Sequence, residues 1–247
     1  MNLNNHTKIE LMSEAAQICS AIFNEVVSNA KEGVSLRVLD DLAESLCDKN
    51  RVIPAFKGYG GFPATICTGV NDIVVHGIPD EYILSYGDIV SIDFGIKHRG
   101  VFSDMAVTAE IGSVPRSTKR LLDVTKEALF AGIAQAKVGN KVGDIGFAMQ
   151  NIVEKGGFSV VREMVGHGIG YELHEEPNIP GYGKKGTGEK LYKGQTIAIE
   201  AIVNQGGPEI LISSDDNWTT FTEDGMLSAL FEHTVVVDDE PIVLTAW

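Results

Sequence analysis

Apolar residues recur along this chain at two spacings. Between residues 8 and 30, Leu11, Ala15, Ile18, Ile22 and Val26 fall at helical intervals, which predicts a helix. Gly33 ends it, and Ser35 can cap a second helix with Leu36, Leu39, Leu42 and Leu46 turned inward. Ser117 opens a third, with Leu121, Leu122, Val124, Leu129 and Ile133, and a shorter fourth carries Val142, Ile145, Ala148, Met149 and Ile152. Other runs read as strands. VNDIVVHGIPD predicts a strand ending at His76, and VVREMV (160–165), QTIAIEAIV (195–203) and MLSALFEHTVVV (226–237) predict three more. Residues 54–69 form an aromatic loop, broken by Gly and Pro, that enters a short strand, and 180–194 a basic, Gly-rich surface loop without a phosphate-binding pattern.

The segment 87–104, GDIVSIDFGIKHRGVFSD, reads as two strands around a turn at His98-Arg99-Gly100. Each strand carries one acid among apolar neighbours, Asp93 and Asp104. Folding about His98-Arg99 places them opposite each other, give or take a bulge at Gly100. Facing carboxylates repel, and Asp is depleted in strands. The pair therefore calls for a cation between them or a shared proton, as in a catalytic dyad.

The two halves echo each other. AKEGVSLRVLDDLAESL (30–46) aligns with AKVGNKVGDIGFAMQNI (136–152), and VNDIVVHGI (70–78) with VREMVGHGI (161–169), pairing His76 with His167. GDIVSID (87–93) aligns with GQTIAIE (194–200), pairing Asp93 with Glu200, and FSDMAV (102–107) with FEHTVV (231–236), setting Asp104 near Glu232. The expected organisation is a single domain, 1–247, built from repeats at about 8–112 and 116–240. Strands from related halves would meet at a common axis and bring four acids together. Four carboxylates cannot all ionise in an apolar site unaided, and two divalent cations balance them. Oxygen ligands with imidazole and no thiolate suit Mn, Fe, Co or Zn. His233, beside Glu232, is expected on the opposite face as a structural residue. His98 is expected solvated in its turn, and His6 is terminal. His174 follows His167 by seven residues, unlike the spacing of an HExxH motif.

Composition narrows the rest. The chain has 247 residues, 44% of them hydrophobic, enough for one large core or two fused halves. A net charge of −14 argues against nucleic acid or an anionic membrane as partner. Cys19, Cys47 and Cys67 are odd in number and lack CxxC spacing, so a reducing compartment is expected. MNLNNHTKIE lacks the apolar stretch of a signal peptide, and no run approaches the ~18 apolar residues of a membrane span. The expectation is a soluble cytoplasmic protein.

The motifs GYGGFPATIC (58–67), VNDIVVHGIPD (70–80), DIVSIDFG (88–95), FSD (102–104), GHGIGYELHEEPNIP (166–180), TIAIEAIVN (196–204) and LSALFEHTV (227–235) cover most of the chain. Through them it resembles the methionine aminopeptidases, in the short bacterial type I form. The resemblance implies an α+β pita-bread fold, with two pseudo-two-fold halves and a curved, mostly antiparallel sheet covered by helices. It implies that Asp93, Asp104, His167, Glu200 and Glu232 bind two divalent metals, with Asp104 and Glu232 bridging. His76 and His174 would contact the scissile peptide bond, and Glu200 would also shuttle the proton of the attacking water. Tyr59, Phe62, Cys67 and Trp218 would form the methionine pocket, with Phe56 and Leu173 at its edge. The implied activity is removal of N-terminal methionine from peptides and nascent proteins, preferring a small second residue, by a monomer in passing contact with the ribosome.

Four positions depart from the family's usual pattern: Gly69, Leu173, Ala201 and Leu230, the last removing a polar neighbour of Glu232. Three other readings compete. They are a related aminopeptidase of different specificity, such as a proline-specific one; a fold relative that lost its metals and binds proteins; and a metal-free dyad at Asp93 and Asp104.

Overall fold

The computed structural model describes residues 5–247, with side chains from Thr7 onward. The side chain of His6, and residues 1–4 of the leader reading, lie outside what the structure describes. Four α-helices form among the described residues: α1 (Asn5–Asn29), α2 (Leu36–Asn50), α3 (Arg116–Ile133) and α4 (Val142–Gly156). Ser35 is the N-cap of α2, its hydroxyl accepting from the Val38 N–H at 3.4 Å. α4 starts with the Asp144 carboxylate accepting the Lys141 N–H at 2.8 Å.

The strands are β1 (Ile53–Pro54), β2 (Cys67–Val70), β3 (Ile73–Val75), β4 (Ile89–His98), β5 (Val101–Glu110), β6 (Ser159–Val160), β7 (Gly166–Gly168), β8 (Glu175–Ile179), β9 (Thr196–Asn204), β10 (Ile210–Ile212), β11 (Thr220–Thr222), β12 (Ser228–Val236) and β13 (Ile242–Val243). Ten of them make one sheet in the order β1-β4-β5-β12-β9-β7-β8, with β2 on β4, β6 on β9 and β13 on β12. Every pairing in it is antiparallel. Outward from the central β5–β12 contact, each side continues with one long strand, β4 or β9, and then a short one, β2 or β7. β10, β11 and β3 form a separate small sheet.

Alternation along the long strands decides the two faces. Val90, Ile92, Phe94 and Ile96 of β4 join Phe23, Leu39 and Leu46 of α1 and α2 in one buried cluster. Ile197, Ile199, Ala201 and Val203 of β9 join Leu121, Leu129, Ile145 and Met149 of α3 and α4 in another. The helices thus cover one face, and the acids project from the other. The fold is the pita-bread type.

Several expectations need correction. The hairpin turns at Arg99-Gly100, with φ of 50° and 88°, as a two-residue primed turn without a bulge. Asp93 therefore faces Ala106, and Asp104 faces Gly95, so the two acids are diagonal neighbours rather than opposed. VVREMV is not a strand: β6 stops at Val160 and pairing resumes at Gly166. His76 and His167 do not occupy matching strands. His167 lies on β7 of the large sheet, whereas His76 follows β3 of the small one, in a left-handed conformation (φ 58°). His98 is not free in its turn, since Nε2 lies 3.2 Å from the Glu14 carboxylate. His233 is on the helix-covered side as expected. Its Nδ1 lies 2.9 Å from the Thr245 hydroxyl, and its ring stacks on Trp247 at 4.7 Å.

Candidate active site

Strand register sets the acids in rows on the face away from the helices. Cys67 of β2, Asp93 of β4, Ala106 of β5, Glu232 of β12 and Glu200 of β9 are successive cross-strand partners, making one continuous line. The next row holds Gly95, Asp104, Ala198 and His167. Asp104 is fixed there because its N–H donates to the Thr234 hydroxyl at 3.1 Å, and that hydroxyl donates back to the Asp104 carbonyl at 2.8 Å. Ala106 separates Asp93 from Glu232 in the first row, and Gly95 lies beside Asp104 in the second. A β-carbon at Gly95 would stand 3.0 Å from Asp104 Oδ1 and 3.1 Å from the Ser103 carbonyl, so glycine leaves the space the carboxylate needs.

The cluster is electrostatically unfinished. Burial, reinforced by Asp104 and Glu200, holds Asp93 well above the usual carboxylate range. Burial pushes Asp104 up to about 7, and burial with the Asp104 charge pushes Glu200 up to about 8. Glu232 is raised well above normal by burial and then by the other three acids. Burial, then His174, lowers His167 to about 4, so its imidazole is neutral near pH 7. His167 directs Nδ1 to the Gly168 carbonyl at 2.9 Å, which leaves Nε2 to face the acids, 3.8 Å from Glu200. Asp93 Oδ1 and Glu232 Oε1 are buried without a hydrogen-bond partner.

A cavity of about 200 Å³ opens on this row. Its lining includes all eleven residues singled out in the sequence as ligands, catalytic groups or pocket walls, together with Phe56 and Leu173. Phe56, Phe62, Cys67 and Leu173 belong to one buried apolar cluster against which Trp218 packs. Phe62 and Trp218 meet edge to face at 5.2 Å, and Trp218 approaches His76 at 6.3 Å between ring centroids. At the rim, His174 Nδ1 lies 2.7 Å from the Tyr59 hydroxyl, and its ring is 4.3 Å from that of His167. Val75, Met164 and Val165 also line the cavity and were not singled out in the sequence. The only signal for them was position, one to three residues before His76 or His167.

The chain matches metallopeptidase family M24 over residues 10–239. The chain belongs to that family. Among its relatives, the methionine aminopeptidase of Clostridium acetobutylicum is 44% identical over 98% of both chains. The crystal structure of methionine aminopeptidase from Thermotoga maritima superposes with a TM-score of 0.95 at 40% identity, covering 98% of this chain and 97% of that one. The prolidase from Pyrococcus furiosus, at 22% identity and a TM-score of 0.77, spans 98% of this chain but only 64% of its own, and shares the fold.

The residues of this M24 metallopeptidase fit divalent metal ions. Donor atoms of Asp104, His167 and Glu232 lie within 4.8 Å of one another. Hard oxygens, one neutral imidazole and two orphaned carboxylate oxygens are what a divalent cation satisfies. The departures from the family pattern find their own settings. Leu230 is 1% exposed among Val74, Val75, Ala106, Val161 and Ile202, an apolar surround in which a polar side chain would need a partner. Ala201 faces the helices. Gly69 abuts the Ser91 hydroxyl and the Ile73 carbonyl, where no β-carbon fits.

Proposed function

We propose that this protein hydrolytically removes methionine from the N-termini of peptides and proteins, with two divalent metals held by Asp93, Asp104, His167, Glu200 and Glu232. The reading rests on one observation above all: an apolar, aromatic pocket of about 200 Å³ ends directly on the acid row. A thioether side chain matches that lining in size and softness. The names of the end-to-end relatives agree with it. Phe62, Cys67, Leu173 and Trp218 enclose the methionine side chain and exclude water. His76 and His174, at the cavity margin, hold the peptide bond under attack. Glu200 accepts a proton from the attacking water and returns it to the departing amine. Bound metals supply Lewis acidity and lower the pKa of water. A small second residue, a monomeric state, passing contact with the ribosome and a cytoplasmic location complete the proposal. No helix among the described residues is long and apolar enough to cross a membrane.

The test strips the protein with a chelator and restores Mn, Fe, Co or Zn singly. Release of free methionine from Met-Ala-Ser, but not of the first residue from Leu-Ala-Ser or Xaa-Pro peptides, is expected. Cleavage confined to Xaa-Pro peptides would assign the protein to a proline-specific activity. No metal-restored release from any peptide would leave it a binding module.

A further inference from the structure

His174 is exposed at the cavity rim on the segment between β7 and β8, where the Tyr59 hydroxyl meets its ring and the backbone beneath it needs a separate hold. One carboxylate closes that segment. Glu175 Oε1 accepts the backbone N–H of Tyr171 at 2.7 Å and of Glu172 at 3.0 Å. These bonds tie both amides to the residue that follows His174, so the tip carrying Leu173 and His174 is fixed at both ends. The second oxygen of Glu175 lies 3.9 Å from Lys8 Nζ, on the first turns of α1. The Lys8 ammonium also sits over the Tyr171 ring at 5.2 Å. The Lys8 side chain is only 14% exposed, so the pair is shielded where most surface pairs are not. Glu175 in turn pairs with Gly168 across the β7–β8 ladder, next to His167.

We infer that Glu175, steadied by Lys8, is a positioning residue that fixes His174 for catalysis. This rests on the function proposed above. A loop histidine displaced by about 1 Å loses much of its effect on a transition state while substrate binding is barely altered. The consequence falls on kcat rather than KM. It also passes through the loop tip rather than through direct contact with substrate, because His174 lines the cavity and neither Lys8 nor Glu175 does.

The test is a double-mutant cycle on Met-Ala-Ser hydrolysis by the metal-loaded protein. Glu175→Ala is expected to lower kcat about tenfold and Lys8→Met about threefold, with KM changed less than about twofold. Lys8→Arg should restore most of the loss. In a His174→Ala background, adding Lys8→Met should cost nothing further. An equal loss in both backgrounds makes Lys8 a general structural contact and overturns the proposal, as does wild-type kcat in both Lys8→Met and Glu175→Ala. Lys8→Met keeps the test decisive if Glu175→Ala fails to fold, since it leaves both Glu175 backbone bonds in place. A wild-type protein that releases no methionine instead removes the underlying function, and the inference with it.

Discussion

Glu232 stands directly opposite Glu200 on the β9–β12 ladder, both on the face away from the helices. Directly opposed side chains have Cβ atoms about 4.5–5.5 Å apart, and like charges there destabilise a sheet. Glu232 is 2% exposed, so solvent gives little relief. Glu232→Gln should therefore raise the stability of chelator-treated protein by about 1–3 kcal/mol while abolishing most of the gain on adding metal. Denaturant melts with and without metal give both signs at once; a variant less stable than wild type in chelator would contradict this account.

Proton linkage gives a second expectation. Asp104 and Glu200 have folded-state pKa values of about 7 and about 8, above those of an unfolded carboxylate. Between the unfolded and folded values the native state binds more protons, so the stability these groups support is present below about pH 4 and is lost as pH rises toward about 8. Chelator-treated protein should melt at a lower temperature near pH 8 than near pH 5, and Glu200→Gln should flatten that slope. Metal addition should stabilise more at the higher pH. A metal-free slope of opposite sign would be incompatible with the charge cluster described.

Gly95→Ala tests the space beneath Asp104. The new β-carbon would crowd Asp104 Oδ1 and the Ser103 carbonyl, with the Ala55 β-carbon 3.1 Å away on the other side. Overpacking of this kind costs about 1–3 kcal/mol. Metal titration by calorimetry should show at least one site weakened, and kcat/KM should fall more than tenfold, roughly the loss of one positioned ligand. Unchanged metal binding would mean that the carboxylate has room to move.

The Phe62–Trp218 pair sets the pocket wall, and Asp216 holds that segment by accepting the Trp218 backbone N–H at 2.8 Å. Trp218→Ala removes an edge-to-face contact worth about 0.5–1.5 kcal/mol beyond its area and opens the cavity. KM for Met-Ala-Ser should rise about tenfold, and discrimination against Leu-Ala-Ser should shrink. Retained selectivity would move the methionine pocket away from this wall.

Trp247 lies behind the sheet, its indole N–H donating to the Glu232 backbone carbonyl at 3.4 Å. It stacks on His233, lies beneath the Lys126 ammonium at 4.3 Å and packs against both main core clusters. Trp247→Ala should cost about 3–5 kcal/mol by thermal or urea melts. Turnover per folded, metal-loaded molecule should stay within about twofold of wild type; a specific loss of kcat would show that the back of β12 tunes Glu232.

Most of this fold can be read from periodicity because its long elements are strongly patterned. The Leu stripe of α2 and the alternation in β4, β9 and β12 each declare an inner face. The strand before His76, β3, is legible, but β8 and the β10 and β11 strands that pair into its small sheet are not. Three to five residues of mixed polarity carry too little pattern, and their existence depends on partners distant in sequence. Val75 and Met164 reached the cavity unannounced for the same reason. His98 found Glu14, 84 residues away, which no local spacing encodes.

The acids show where that boundary lies. The sequence alone determined that Asp93, Asp104, Glu200 and Glu232 occupy apolar strands, and alternation determined which face each takes. A turn displaced by one residue, to Arg99-Gly100, shifts the register by two positions. Such a shift preserves every side chain's face while changing every partner. Only the tertiary structure could decide that Glu200 and Glu232, not Asp93 and Asp104, stand directly opposed. Only the β5–β12 contact could join two hairpins into one row of acids, because pairing between strands more than 120 residues apart is fixed by packing of the whole core.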